Sequence, residues 1–364
     1  MIVQDVIKHL EDLAPLAYAE DFDNVGLLVG DKRAKVSGIL VTLDTLPEVV
    51  EEAIEENCNL IVSFHPIIFK GLKSITGATY VERAVLKAIK HDIAIFAIHT
   101  ALDNAFEGVS AEVCNQLGLK QKSVLIPQSG TVKKLTTFVP KPQAETLRTA
   151  LFKAGAGAVG NYDHCSFSGN GEGTFRGNEH SNPTVGQRHK LQKVEEIKIS
   201  FVYAKHLESS ILKTLFMAHP YEEIAYEVST LDNKNQHIGM GMIGKLEKSM
   251  EDTKFLEFVK LKFNCGVIRH SNLLGKTIKK VAVLGGSGSF GIEAAKAAGA
   301  DAYLTADLKY HDFFTAEHQI LLMDIGHYES EQFTKTLLTA YLTKKIPNFA
   351  VLLSKINTNP VKYK

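Results

Sequence analysis

Among the histidines and carboxylates of this 364-residue sequence, five stand at positions and spacings that could hold divalent metals. They are His65, His99 with Asp103 four residues on, and His327 with Glu331 four residues on. Imidazole with carboxylate is the ligand set of zinc, iron, manganese or cobalt sites. A four-residue spacing brings each His and its carboxylate to one face of a helical turn. The segment HYESE reads as helical, so His327 and Glu331 should point the same way. A carboxylate can bridge two ions, and two ions about 4 Å apart suit hydrolytic chemistry. Each feature alone also fits a packed histidine or a solvated helix face. Their shared location sets them apart, because each histidine directly follows an apolar run.

Those runs are the elements that must position the site. Residues 37–43 (SGILVTL), 60–64 (LIVSF) and 93–98 (IAIFAI) read as buried strands, with helical patterns at 47–57, 80–91 and 109–117 between and after them. Fully apolar strands alternating with helices predict a parallel sheet covered on both faces. Open sheets of that kind bind ligands at the carboxyl ends of their strands, where the three histidines lie. The pattern changes near residue 130. A strand at 135–139 and a helix at 144–154 lead into a Gly-, Asn- and Ser-rich stretch at 155–186, whose glycines read as turns between strands. An exposed strand at 193–203 and a helix at 208–217 follow, which together read as α+β with antiparallel strands. The strand–helix rhythm resumes with strands at 278–284, 302–305 and 320–325 and a helix at 329–342. The expected architecture is one discontinuous α/β domain, 1–127 with 246–364, interrupted by a smaller α+β domain at 128–245. Insertion at a surface loop is well tolerated.

Further residues fall near the expected cleft. GGSGSFG (285–291), between a strand and a helix, fits a phosphate-cradling loop only loosely and reads better as a tight turn lining the cleft. Asp23 enters the cleft or caps a turn. Asp307 and His311 are candidates for supporting the site or touching substrate, with a helix cap at Asp307 as the competing reading. His164 and Cys165 lack the companion ligands that a metal site needs.

Composition excludes several classes. Lys plus Arg and Asp plus Glu are 41 each, which speaks against a protein that grips nucleic acid or anionic membranes by bulk charge. Apolar residues at 45% and charged residues at 23% are ordinary for globular chains. No apolar run approaches the roughly 18 residues of a membrane span. The amino terminus lacks a signal peptide's apolar core. Four scattered cysteines read as reduced thiols, so a cytoplasmic location is expected.

The segments SFHPIIFKGLK, AIHTALDNAFEGV and DIGHYESE, in this order, resemble the motifs of the GTP cyclohydrolase I type 2 homologues, the Ngg-interacting-factor-three-like (DUF34) family. DFDNVGLLVG and VAVLGGSGS…GADAYLTADLKYHD are similar to further blocks of that family. The middle of the chain, with AGAGAVGNYDHCSFSGNGEGTF and AHPYEE, resembles the PII/CutA-like, ferredoxin-like domain of its longer bacterial members. The resemblance implies a dinuclear centre of zinc, with iron or manganese as alternatives, held by His65, Asp103, His327 and Glu331. Many members carry two consecutive histidines before the proline, and here the first is Phe64. One metal position is then the weaker, or has a water in place of a side chain. His99 falls in the H-T-x-x-D block as a residue near the site. The resemblance further implies a toroidal homohexamer and hydrolysis of a small substrate, nucleotides included. His99 and His311 are the candidates for moving the proton. A metal carrier or sensor, responding to a ligand through the inserted domain, is the alternative.

Overall fold

The computed structural model describes all residues, 1–364. They form two compact units, Met1–Pro127 with Gln236–Lys364, and Gln128–Asn235.

The first unit carries two sheets. One has the spatial order Gly26–Val29, Ala94–Ala97, Leu60–Ser63, Ile39–Thr42, Val351–Leu353. Its last four strands run parallel, and Gly26–Val29 closes the edge antiparallel. These strands are only three or four residues long, and the three central ones are buried throughout. Alternate side chains explain why. Ile39, Val41, Leu60, Val62 and Phe96 pack against helices Val3–Leu13 and Thr334–Lys345. Leu40, Ile61 and Ile95 pack against helices Pro47–Glu55 and Tyr80–Lys90. Burial of each such side chain contributes about 1.5–3 kcal/mol, enough to offset the roughly 1–2 kcal/mol of ordering one residue of backbone. A strand covered on both faces can therefore be short and still be fixed.

The second sheet has the order Arg269–His270, Leu321–Asp324, Ala302–Ala306, Thr277–Ser287, Gly239–Glu251, Lys120–Pro127. Its parallel part is Thr277–Ser287, Ala302–Ala306 and Leu321–Asp324. Helices Val109–Gln116 and Asp252–Lys262 bury one face. Helix Ile292–Ala297 covers the other.

In Gln128–Asn235 the strands Ser166–Phe175, Gln192–Ala204, Val132–Pro140 and Tyr226–Leu231 form one antiparallel sheet in that order. Helices Ala144–Lys153 and Glu208–Ala218 pack on one face through Leu147, Leu151, Ile211 and Leu215. The chain order β-α-β-β-α-β with this strand order is the ferredoxin-like arrangement.

Three expectations shift. The return to the first unit comes at Gln236 rather than 246, because Gly239–Glu251 pairs with both Lys120–Pro127 and Thr277–Ser287. Gly169, Gly171 and Gly173 lie inside a ten-residue strand rather than at turns. That strand's ladder with Gln192–Ala204 supplies the order that its side chains do not. The helix expected at 329–342 is two helices, His327–Glu331 and Thr334–Lys345. No helix is long and apolar enough to cross a membrane.

Candidate metal centre

The carboxyl ends of parallel strands from both sheets of the first unit converge on one spot. His65 follows Leu60–Ser63, His99 follows Ala94–Ala97, and His327 follows Leu321–Asp324. Their rings stand together, with centroids 5.2 Å apart for His65 and His99 and 5.5 Å for His65 and His327. Helix His327–Glu331 returns Glu331 to the same point, as its four-residue spacing predicts.

Each histidine is gripped at Nδ1 by an aspartate. His65 Nδ1 lies 2.8 Å from Asp44 Oδ1, His99 Nδ1 2.9 Å from Asp23 Oδ1, and His327 Nδ1 2.7 Å from Asp307 Oδ2. An ionised carboxylate only accepts, so each Nδ1 carries the proton and donates. Burial works against the Asp23 charge, but hydrogen bonds from His99 and Thr100 overcome it and hold the carboxyl at about 2. The hydrogen bond from His327 likewise holds Asp307 at about 2, against partial burial. This carboxylate–histidine pairing is the one that orients metal-ligating imidazoles.

The opposite nitrogens of two of these rings meet one carboxylate oxygen. His65 Nε2 and His327 Nε2 each lie 3.2 Å from Glu331 Oε2. One ligand atom from each of the three residues falls within 4.8 Å of the others. Glu331 Oε2 is fully buried, and these two imidazole nitrogens, neither in good hydrogen-bond alignment, are its near polar neighbours. Ligand atoms about 2.1 Å from a shared ion and about 90–110° apart lie about 3.0–3.4 Å from each other. The two 3.2 Å spacings to Glu331 Oε2 fit ligands of a shared cation, while the cluster as a whole spans up to 4.8 Å.

The electrostatics ask for positive charge at the same place. Burial alone would lower the His65 imidazole, but Asp44 and Glu331 hold it well above its ordinary range. Asp307 and Glu331 do the same for His327, again against burial. Burial pushes Asp103 up strongly, and the nearby Glu331 charge adds to it. A divalent ion would relieve that accumulation of carboxylates.

A cavity of about 240 Å³ opens onto the site. His99, Asp103, His327 and Glu331 line it, together with Gly285, Gly286 and Ser287. The Gly-rich segment therefore lines the cleft as expected. Its Gly286 amide donates to Ser330 Oγ, 2.9 Å away, and the Ser330 hydroxyl donates to the His327 carbonyl. Gly286 takes a φ of +66°, a conformation that suits glycine.

His311 is not brought to this cavity. Leu308 packs into the core, and the turn Tyr310–Ala316 carries His311 to the surface. Its ring there lies against Tyr310 and Phe314. His164 packs on the Phe152 ring, its centroid 4.6 Å away, beside Asp163. Phe64 is fully buried, its ring 4.8 Å from that of His65 and 5.4 Å from that of His99. Sequence reasoning overlooked Asp44. It stands just past Ile39–Thr42, so the same strand-end rule pointed to it.

Relatives share this whole arrangement of chain. A Bacillus subtilis protein named GTP cyclohydrolase 1 type 2 homolog is 34% identical over 366 residues, covering 98% of this chain and 97% of its own length. A Halalkalibacterium halodurans protein of the same name is 37% identical over 366 residues, with the same coverage. The crystal structure of a Bacillus cereus protein related to NIF3 superposes with a TM-score of 0.85 at 37% identity, covering 100% of this chain and 99% of that one. The profile of one family, Duf34/NIF3 (NGG1p interacting factor 3), matches residues 1–360. On that match and those relatives, this chain belongs to the Duf34/NIF3 family.

Proposed function

We propose that this chain is a metal-dependent hydrolase with a dinuclear centre of divalent ions, zinc foremost, acting on a small substrate. One observation carries the reading: His65 Nε2 and His327 Nε2 both approach the buried Glu331 Oε2 at 3.2 Å, a cluster of metal-ligating atoms within 4.8 Å of one another. The name carried by the relatives points the same way, toward hydrolytic opening of a nucleotide ring. His65, His327 and Glu331 would hold one ion. Asp103, on the wall of the same cavity, is the carboxylate available to a second.

Such ions supply Lewis-acid polarisation and acidify a water. The chain's own residues do the rest. Asp44 and Asp307 fix which nitrogen of His65 and His327 faces the centre. His99, its Nδ1 engaged by Asp23, presents an imidazole to the cavity for moving a proton. At about 240 Å³ the cavity falls below the roughly 300–1,000 Å³ of sites that enclose whole ligands. It admits the reacting end of a substrate rather than an entire nucleotide.

The test joins metal content with turnover. Mass spectrometry of protein purified without chelator should find about two ions per chain. Screening of nucleotides and phosphoesters should then find a turnover that Asp103→Ala and Glu331→Ala abolish. Turnover indifferent to both changes would sink the claim.

The alternative is a metal carrier or sensor, favoured by a separate observation. The larger cavity, about 950 Å³, lies within Gln128–Asn235, between the glycine face of Ser166–Phe175 and the segment 176–184. An exchangeable metal with no turnover on any substrate would move this reading ahead. A homohexameric toroid belongs to the same proposal. The exposed Phe167 on the insert's sheet supports it, and light scattering tests it.

A further inference from the structure

The last residues, after strand Val351–Leu353, have no regular secondary structure, yet they are fastened along their course. Ser354 Oγ and the Lys355 amide donate to the two oxygens of Glu52, at 2.5 and 2.7 Å. The Lys355 ammonium pairs with Glu56. Thr358 Oγ1 donates to Asp44 Oδ2 at 2.5 Å, and Asn359 Nδ2 donates to Glu329 Oε1 at 3.3 Å.

The Thr358 bond differs from the rest in where it leads. Asp44 uses its other oxygen to accept from His65 Nδ1. The other two aspartates are built the same way. Thr100 donates its amide and hydroxyl to Asp23, the partner of His99. Ser287 donates its hydroxyl to Asp307, the partner of His327. The three histidines thus share one pattern, imidazole to aspartate to hydroxyl. Thr100 is next to His99, and Ser287 lies in the Gly-rich wall of the cavity. Thr358 reaches Asp44 across 314 residues of sequence.

We propose that the C-terminal segment is a strap for the metal centre and that Thr358 is its positioning residue. It clamps Asp44 so that His65 keeps its proton on Nδ1 and offers Nε2 to the ion. This rests on the metal reading above. The clamp is needed because carboxylate rotation is soft, and the Asp44 side chain is 32% exposed. With Oδ2 released to water, either oxygen could turn away from His65. Thr358 itself is 7% exposed, so its hydroxyl has little solvent to turn to.

The experiment uses the full-length chain, stripped of metal. Zn²⁺ affinity is measured by competition with a chromophoric chelator, and the Co²⁺ form by its visible spectrum. Thr358→Val keeps the volume and removes the hydroxyl. It should weaken Zn²⁺ binding on the order of ten- to a hundredfold and alter the Co²⁺ spectrum. Thr358→Ser should restore both. Because Thr358 acts through Asp44, adding Thr358→Val to Asp44→Asn should cost nothing beyond Asp44→Asn alone.

Wild-type affinity in Thr358→Val would overturn the proposal, as would losses that multiply in the double variant. A lowered metal-free melting temperature with an unmoved spectrum and affinity would also overturn it. Should the valine variant not fold, Thr358→Ala is read by the same criteria. Failure of the unaltered protein to bind Zn²⁺ would overturn the metal reading itself, and the strap with it.

Discussion

Gly286→Ala is expected to disable the proposed metal centre without changing any of its candidate ligands. The residue sits at a φ of +66°, so alanine there must adopt a left-handed conformation, which costs about 1–2 kcal/mol. For a unit of this size that lowers the metal-free melting temperature by roughly 2–8 °C. The added Cβ would also stand 2.4 Å from Glu331 Oε1 and 3.4 Å from His327 Cε1. Real Cβ contacts stay beyond 3.0 Å, so the carboxylate must move by about 0.6 Å, well past the roughly 0.2 Å tolerance of a metal–ligand bond. The carboxylate has little room to move, because Glu331 is 3% exposed and its other oxygen faces two imidazoles. Zinc binding of about 10–16 kcal/mol shared over four ligands puts about 2.5–4 kcal/mol on each. Displacing Glu331 should therefore weaken Zn²⁺ by roughly 10²- to 10³-fold. The assay is chelator competition, with calorimetric melting of the stripped protein in parallel. A lowered melting temperature with unchanged Zn²⁺ affinity would show that Glu331 is not a ligand. If neither moved, the close approach of Gly286 to Glu331 would itself be refuted.

Glu331→Gln keeps the shape and removes the charge, and it should cost a similar 10²- to 10³-fold in Zn²⁺ affinity by the same per-ligand share. An unaffected titration would exclude the three-residue cluster as the site. Phe64→Ala deletes a fully buried ring and should destabilise the chain by about 3–5 kcal/mol in urea unfolding, where a loss under about 1 kcal/mol would contradict its place in the core. Glu82 is held down to about 2 by bonds from the Thr76 amide, the Thr76 hydroxyl and the Ala78 amide. A depressed folded-state value stabilises above the ordinary 4.5 and loses that stabilisation as pH falls toward about 2. Urea midpoints of the wild type and Glu82→Gln should therefore differ at pH 6 and converge on acidification; a gap that stays constant with pH would contradict this.

Much of the fold was legible because burial leaves a mark on sequence. The runs at 37–43, 60–64 and 93–98 became Ile39–Thr42, Leu60–Ser63 and Ala94–Ala97, trimmed by a residue or two at their ends. Helix 80–91 is Tyr80–Lys90, and helix 208–217 is Glu208–Ala218. The glycines of Ser166–Phe175 misled, because a strand ordered by its neighbour's ladder need not show apolar periodicity. The end of the insert was misplaced for a related reason. Gly239–Glu251 runs unbroken for thirteen residues, and only its partners reveal the sheet to which it belongs.

The same division holds at the site. Types and spacing alone singled out His65, His99, Asp103, His327 and Glu331, because strand ends and helical turns are local features. They could not separate His99, which lines the cavity, from His311, which faces solvent, since that depends on where a turn leads after Leu308. Nor could they pair Asp44 with His65 or Thr358 with Asp44, contacts spanning 21 and 314 residues. Sequence determined the elements and the candidate ligand types, because periodicity and spacing act within a few residues. Tertiary structure decided which nitrogen of each histidine is engaged by an aspartate and which oxygen of Glu331 meets two imidazoles. Those outcomes depend on distances between strand ends that meet only when both sheets have formed.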